Sequence, residues 1–379
     1  MTKSNLPEIL PGATLGVLGG GQLGRMFCVA ARTLGYRVIV VDPDEGSPAG
    51  RIADEHIRAD YLDEAALDIL ASRCDAVTTE FENVPAQSLR YLAQKTRVSP
   101  SAEALEIAQN RHREKQYALK AGLSPAPYHL IQSDADIDEA IKQIGVPSIL
   151  KSTTLGYDGK GQAVINSADE LRAAFASMNR VECVLEKRID LALEVSVIVA
   201  RNGRGEAVSY PIAENEHRNG ILHQSAVPAR IEESLADKAR QQALALAESM
   251  DYVGILAVEF FISTGGELLF NEMAPRPHNS GHYTKDACVT SQFEQQARMM
   301  CGLKPGDTRL ISPVVMINML GDLWDPDWSA LLSHPEIKLH LYGKTEARPG
   351  RKMGHFNVLA ERLEDAIDIA RTAFQQLEK

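Results

Sequence analysis

No stretch of this 379-residue chain is long and apolar enough to span a bilayer. The longest uninterrupted apolar run, residues 26–31, has six members, against the ~20 that a transmembrane helix needs. The first residues, Met1-Thr2-Lys3-Ser4-Asn5-Leu6-Pro7, lack the apolar segment of a signal peptide. A cytoplasmic protein with no membrane contact is therefore expected. Cysteine is scarce: Cys28, Cys74, Cys183, Cys288 and Cys301 are dispersed, odd in number and without CxxC spacing. That excludes a disulfide framework and leaves buried free thiols as the expectation. A concentrated basic patch is missing too. The formal charge is −11, from 40 Lys+Arg against 51 Asp+Glu, and the densest basic run, residues 348–352, is short. Such a chain repels phosphate backbones at long range, so no nucleic-acid partner is expected. Internal repeats and low-complexity segments are also absent.

What remains is an ordinary globular composition, 44% hydrophobic and 24% charged, at a length that suits two or three domains. Near the N-terminus an apolar strand over residues 14–19 runs into Gly19-Gly20-Gly21-Gln22-Leu23-Gly24 and an apolar helix reaching Leu34. A second strand, residues 37–41, ends at Asp42, and the unit repeats through residues 76–81 and 97–100. This alternation predicts a doubly wound α/β domain. The turn fits GxGxxG, and Asp42 follows Gly24 by 18 residues, near the place of a ribose-binding acid. An NAD site, a cradle for a substrate phosphate and a mere tight turn all fit that pattern. Glu80-Phe81-Glu82-Asn83 favours a substrate, because it falls at the C-terminal end of a strand, where open α/β sheets bind ligands.

Beyond a helix opened by Arg111-His112-Arg113-Glu114-Lys115, the pattern changes to alternating strands. One of them, residues 148–152, carries Lys151 near its end. The glycine-rich loop that follows, Gly156-Tyr157-Asp158-Gly159-Lys160-Gly161-Gln162, is no Walker A loop, since no helix bearing Lys-Ser/Thr follows it. Its successive backbone N–H groups can still cradle a terminal phosphate. The strand at 183–188 runs into a linker whose backbone could receive an adenine edge. Two later strands, 257–261 and 268–273, set Glu259 and Glu272 among apolar neighbours. A buried carboxylate is costly without a partner, so the pair reads as Mg²⁺ ligands beside a nucleotide, with salt bridges to arginine as the alternative. Next comes Ala274-Pro275-Arg276-Pro277-His278-Asn279-Ser280-Gly281-His282-Tyr283, dense in functional groups. Zinc at His278 and His282 is disfavoured by the absence of cysteine partners and helical spacing. After Pro305-Gly306 the chain gives strands near 314–318 and 340–342, then Arg351-Lys352-Met353-Gly354-His355 and an amphipathic helix over 363–377.

These motifs carry a resemblance. GGGQLGRM at 19–26, the 80–83 stretch, YDGKGQ at 157–162, NEMAPRPHNSGHYT at 271–284 and RKMGH at 351–355 occur in the order seen in the ATP-grasp ligases. Within them the chain resembles the N5-carboxyaminoimidazole ribonucleotide synthetase family along nearly its whole length. Asn110 stands where that family often has Asp, and His112 replaces a frequent Leu. The resemblance implies an α/β protein with an ATP-grasp fold. Residues 1–105 would form an N-terminal doubly wound (pre-ATP-grasp) domain, 106–303 the ATP-grasp domain and 304–379 a small C-terminal β-rich domain.

It further implies ATP as co-substrate with Mg²⁺, and aminoimidazole ribonucleotide and bicarbonate as substrates, joined through carboxyphosphate. A homodimer and a transient hand-off of product to a downstream mutase are also implied. For the nucleotide, Arg111, Lys151 and Gly156, Tyr157, Asp158, Gly159, Lys160, Gly161 and Gln162 would hold phosphates. Glu186, Lys187, Arg188 and Ile189 would line the adenine, Glu194 the ribose, and His217 would make a further contact. Glu259 and Glu272 would bind Mg²⁺, with Asn271 beside them. Tyr157, Asp158, Arg276, Lys344 and Arg351 would face the ribonucleotide, with Gln22, Glu80 and Asn83 reaching it from the first domain. Arg276, His278 and Asn279, with Lys344, would form the bicarbonate and carboxyphosphate pocket. Three rivals remain open: a sibling grasp ligase, an NAD dehydrogenase and a non-catalytic ATP-binding regulator.

Overall fold

A computed structural model describes residues 7–154, 161–324 and 328–378. In the first unit, β1 (Thr14–Leu18), α1 (Gln22–Thr33), β2 (Arg37–Val41), β3 (Glu55–Ile57), α2 (Glu64–Arg73), β4 (Ala76–Thr79), α3 (Ala86–Ala93) and β5 (Arg97–Val98) follow one another. Every strand pair is parallel, in the order β3-β2-β1-β4-β5. β1, β2 and β4 are buried almost throughout, because helices cover both faces of a parallel sheet. One face of α1 buries Leu23, Met26, Phe27 and Ala31. These share a core with Phe293, Ala297 and Met300 of a later helix, which seats the first unit on the rest of the molecule.

Next come α4 (Ala102–Ala108), α5 (Arg111–Lys120), β6 (Tyr128–Ile131), α6 (Ile137–Ile144), β7 (Ser148–Ser152), β8 (Gln162–Ile165), α7 (Ala168–Ser177) and β9 (Cys183–Lys187). Their four strands form an antiparallel sheet, β6-β9-β7-β8. Asn110 caps α5 by accepting the N–H of Arg113 at 3.0 Å. Asn and Asp serve about equally well at that position, so the departure from the family costs the helix little.

The remaining elements are β10 (Leu191–Arg201), β11 (Ala207–Ser209), β12 (Ala213–Arg218), β13 (Ile221–Val227), α8 (Glu233–Ser249), β14 (Gly254–Ser263), β15 (Leu268–Ala274), α9 (Thr284–Ala287), α10 (Gln292–Met300), β16 (Val314–Leu320), α11 (Ser329–Leu332), β17 (Ile337–Leu341), β18 (Lys352–Leu359) and α12 (Leu363–Leu377). They build one nine-stranded sheet, β15-β14-β10-β12-β13-β16-β18-β17, with β11 on β10. The three C-terminal strands thus extend the grasp sheet rather than folding a sheet of their own. β13 pairs with β16 from Gln224↔Ile317 to Val227↔Val314, so main-chain hydrogen bonds cross the expected division at 303/304. Helix α8 covers one part of this sheet through Ala236, Ala239, Ala243 and Leu246. Helix α12 covers another through Leu363, Ala366, Ala370 and Ala373. All five cysteines are buried and unpaired. Among the described residues no helix is long and apolar enough to cross a membrane.

Candidate functional site

A cleft of about 750 Å³ opens where the three parts of the chain meet. That is the size of a small-molecule site. Ten residues singled out in the sequence line it: Gln22, Glu80 and Asn83 from the first unit, Arg111, Glu272, Arg276, His278 and Asn279 from the second, and Lys344 and Arg351 from the third.

At the first unit's edge the glycine turn is already occupied. Gly20 donates its N–H to Asp42 at 2.6 Å, and Gly21 and Gly24 donate theirs to Glu80 at 2.9 and 3.0 Å. A helix N-terminus carries partial positive charge, and here protein carboxylates supply the negative charge. A β-carbon on Gly21 would lie 2.4 Å from Glu80, and one on Gly20 would lie 2.4 Å from Ser47. These two glycines make room for side chains of the chain itself. Asp42 also accepts the Tyr61 hydroxyl at 2.7 Å. Of the three readings of this turn, the tight turn accounts for these bonds; a phosphate or a pyrophosphate would have to displace the two carboxylates from these N–H groups. Glu82, the next acid along, pairs with Arg276. Burial alone would raise its carboxyl, but the guanidinium overrides this and holds it at about 2.

Helix α5 carries the second group. Arg111 bonds Glu272 at 2.9 Å. One turn on, Glu114 accepts the N–H of Met273 at 2.6 Å, and Lys115 reaches Glu186 at 3.1 Å and the Asn271 carbonyl at 3.3 Å. Lys151 meets the other oxygen of Glu186 at 2.8 Å. The resulting Lys115–Glu186–Lys151 triad is buried, and its two ammonium groups hold the glutamate at about 2 against the cost of burial. Both Glu186 oxygens face lysines, and the N–H groups of Lys187 and Arg188 go to the carbonyls of Pro127 and Pro147. The Glu186 side chain and the N–H groups of Lys187 and Arg188 are therefore committed to protein partners. Neither Glu114 nor Lys115 was singled out as a site residue in the sequence. Their spacing from Arg111 was the available signal, since i+3 and i+4 put all three on one helical face.

On the large sheet Glu259 and Glu272 stand directly opposite each other across β14 and β15. Burial, and then the charge of Glu272, push Glu259 above the usual carboxylate range. Glu272 stays below that range because Arg111 outweighs its burial. The arginine alternative read from the sequence is thus realised at Glu272. Two facing carboxylates with one guanidinium still leave hard oxygen donors and excess negative charge, which fits Mg²⁺. No group of three or more His, Cys, Asp or Glu among the described residues could hold a metal alone. Farther along the sheet Glu194 on β10 pairs with His217 on β12. Burial lowers the imidazole, but Glu194 raises it more.

The turn after β15 brings His278 Nε2 to 3.2 Å from Glu259. Its Nδ1 accepts the N–H of Ser280 at 3.3 Å and lies 2.9 Å from that serine's hydroxyl. Those contacts assign the proton of the neutral ring to Nε2. Burial, with Arg276 and Lys352 nearby, lowers the ring to about 3, so it is neutral at pH 7. His282 turns elsewhere and meets His355 in a tilted ring contact, 4.8 Å between centroids. In the third part Lys344 donates to the Lys352 carbonyl at 2.7 Å and Arg351 to the Glu346 carbonyl at 2.8 Å. Lys352 lines the cleft as well, although only its motif, and not the residue, had been singled out.

Not all expected residues meet in the cleft. Lys151, Glu186, Lys187, Arg188, Ile189, Glu194, His217, Asn271 and Glu259 lie on strands and linkers around it. Gly161 and Gln162 stand at the start of β8. Gly156, Tyr157, Asp158, Gly159 and Lys160 fall outside the described residues.

A doubly wound unit, an antiparallel four-stranded sheet and a large sheet bearing paired carboxylates, gathered on a cationic cleft, are the parts of an ATP-grasp ligase. Residues 116–293 match the ATP-grasp domain, 12–109 the ribonucleotide synthetase preATP-grasp domain and 314–368 the phosphoribosylaminoimidazole carboxylase C-terminal domain. The N5-carboxyaminoimidazole ribonucleotide synthase of Bacillus subtilis strain 168 is 45% identical over 356 residues, 93% of each chain. A solved N5-carboxyaminoimidazole ribonucleotide synthetase in complex with ADP superposes with a TM-score of 0.94 at 46% identity, over 98% of this chain and 100% of that one. The Aspergillus clavatus enzyme in complex with ADP and 5-aminoimidazole ribonucleotide gives 0.90 at 31% identity, over 97% and 98%. The chain belongs to the N5-carboxyaminoimidazole ribonucleotide synthase family of ATP-grasp ligases.

Proposed function

We infer that this cleft joins bicarbonate to the amine of 5-aminoimidazole ribonucleotide while ATP becomes ADP and phosphate, a step of purine biosynthesis. One observation carries the reading. Glu272, Arg276, His278, Asn279, Lys344 and Arg351 line one cleft, and Glu259 stands opposite Glu272 across β14 and β15. Bicarbonate is a poor electrophile because its leaving group would be hydroxide. In the proposed sequence a bicarbonate oxygen attacks the γ-phosphorus and ADP leaves. The amine then attacks the carboxyl carbon of carboxyphosphate, phosphate leaves, and the amine proton is lost.

Arg111, Lys151 and the 156–162 loop would hold the nucleotide phosphates, with Glu194 and His217 toward the ribose. Glu259 and Glu272, beside Asn271, would hold Mg²⁺, which when bound neutralises phosphate charge. Tyr157, Asp158, Gln22, Glu80, Asn83, Lys344 and Arg351 would orient the ribonucleotide. Arg276 and Asn279 would hold the carboxyl oxygens, and His278, neutral with its proton on Nε2, acts as a donor rather than a cation. Closing the three parts over the reactants keeps water from the mixed anhydride. A cytoplasmic homodimer that passes its labile product to a mutase completes the reading. It is supported by the resemblance and tested by sedimentation and by trapping of product with and without the mutase.

The decisive assay is ADP release with and without 5-aminoimidazole ribonucleotide, in bicarbonate-depleted and bicarbonate-replete buffer. Release should require both substrates for full rate. Equal ADP release in all four conditions would overturn the reading.

A further inference from the structure

Gln292 is the first residue of α10, wholly buried, and outside every motif used above. Its side-chain amide behaves like an added strand. Oε1 accepts the N–H of His278 at 2.8 Å, and Nε2 donates to the carbonyl of the same residue at 2.7 Å. The same Nε2 lies 3.2 Å from His282 Nδ1. An amide nitrogen has two hydrogens to give, so both are used and that ring nitrogen acts as the acceptor. Two further features show that the surroundings are shaped to this amide. Gly281 has no β-carbon where one would sit 2.5 Å from Gln292 Oε1. Thr284 Oγ1 accepts the main-chain N–H of Gln292 at 3.0 Å while donating to the Gly281 carbonyl at 2.7 Å. The imidazole so held projects to Glu259, 3.2 Å away.

We propose that Gln292 is a positioning residue for the ligase reaction: its amide clamps both main-chain polar groups of His278 and so aims that imidazole into the cleft. The inference rests on the role given to His278 above. Main-chain hydrogen bonds at His278 restrain its φ and ψ, and only a side chain with a donor and an acceptor on one carbon can satisfy both groups at once. Gln292→Met keeps the length and loses both bonds. Gln292→Glu keeps the shape and the acceptor but replaces the donor.

The test is a double-mutant cycle on the full chain, with His278→Ala, Gln292→Met and the pair, reading kcat, both KM values and the ratio of carboxylated product to ADP. Gln292→Met should lower kcat by about 10- to 100-fold, the usual size for a group that orients a reacting one. KM for ATP should stay within about twofold, and Gln292→Glu should fall between parent and Met variant. The decisive arm is the pair: once His278 is gone, Gln292→Met should cost less than about twofold more, because nothing is left to aim. Undiminished kcat in Gln292→Met, or full additivity in the pair, overturns the proposal. So does loss of ADP binding together with a collapsed Tm, which would assign the amide to folding. Parent-like activity in His278→Ala would instead sink the role given to His278, so the two failures are told apart.

Discussion

The charges lining the cleft and those buried behind it are held in different ways. Beside α5, Lys115, Glu186 and Lys151 form a dry ion triad in which each charge answers another. Toward the C-terminal half, Lys344 and Arg351 are steered by main-chain carbonyls of Lys352 and Glu346, and their charge faces the cleft. The first arrangement is costly to break, because removing one member leaves another charge buried and uncompensated. In the second, a cation can be lost with little harm to the fold, so the loss should show in binding. Charges locked in a buried triad serve the fold, whereas cations that line the cleft are placed to serve binding.

The comparison breaks most visibly at the paired carboxylates. Glu272→Gln should reduce turnover to background in an ADP-release assay, since it removes charge while keeping shape. Its urea midpoint should stay close to that of the parent; a stability loss above ~3 kcal/mol would make the residue structural instead. Glu186→Ala should do the reverse and cost about 3–5 kcal/mol in urea unfolding, by stranding two ammonium groups. A loss below ~1 kcal/mol would show that the triad is not dry.

Arg351→Ala sharpens the other side. A charged hydrogen bond is worth about 2 kcal/mol, so KM for the ribonucleotide should rise roughly 30-fold, with KM for ATP within about twofold. Weakened ATP binding with unchanged ribonucleotide affinity would place the C-terminal loop at the nucleotide instead. Lys344→Ala should act in the same direction and lower the yield of carboxylated product per ADP.

A smaller effect concerns acid. Glu82 sits at about 2 beside Arg276, below the ~4.3 of an unfolded glutamate. A depressed carboxyl contributes stability that is complete above the unfolded value and fades as pH falls through the folded one. The stability gap between parent and Glu82→Gln should thus be full at pH 6 and shrink steadily from about pH 5 toward pH 2. A gap that stays constant over that range would detach the pair from acid stability. The smallest effect is none at all: with Asp42 and Glu80 on the glycine turn, millimolar NAD should leave ADP release unchanged. Saturable NAD binding competitive with the ribonucleotide would show that the carboxylates give way.

Much of this molecule is local and therefore readable in the chain. Short apolar runs mark β14 and β15, with Glu259 and Glu272 set among them. The apolar stripe of residues 363–377 marks α12, and the glycine turn with its flanking strands marks the doubly wound unit. Period and turn chemistry act over a few residues, so no partner is needed to see them. Which groups meet is another matter. Gly21 bonds a carboxylate 59 residues away, and Arg111 bonds one 161 residues away. The glycine turn could be read as an anion cradle because its pattern records backbone freedom, while the identity of the anion depends on what the fold brings alongside. Likewise the resemblance sets residues 304–379 apart as a C-terminal domain, but it does not say which strand β16 joins, and that strand is β13. A strand edge satisfies its main-chain groups with whichever strand the packed core presents, and only tertiary structure decided which one that was.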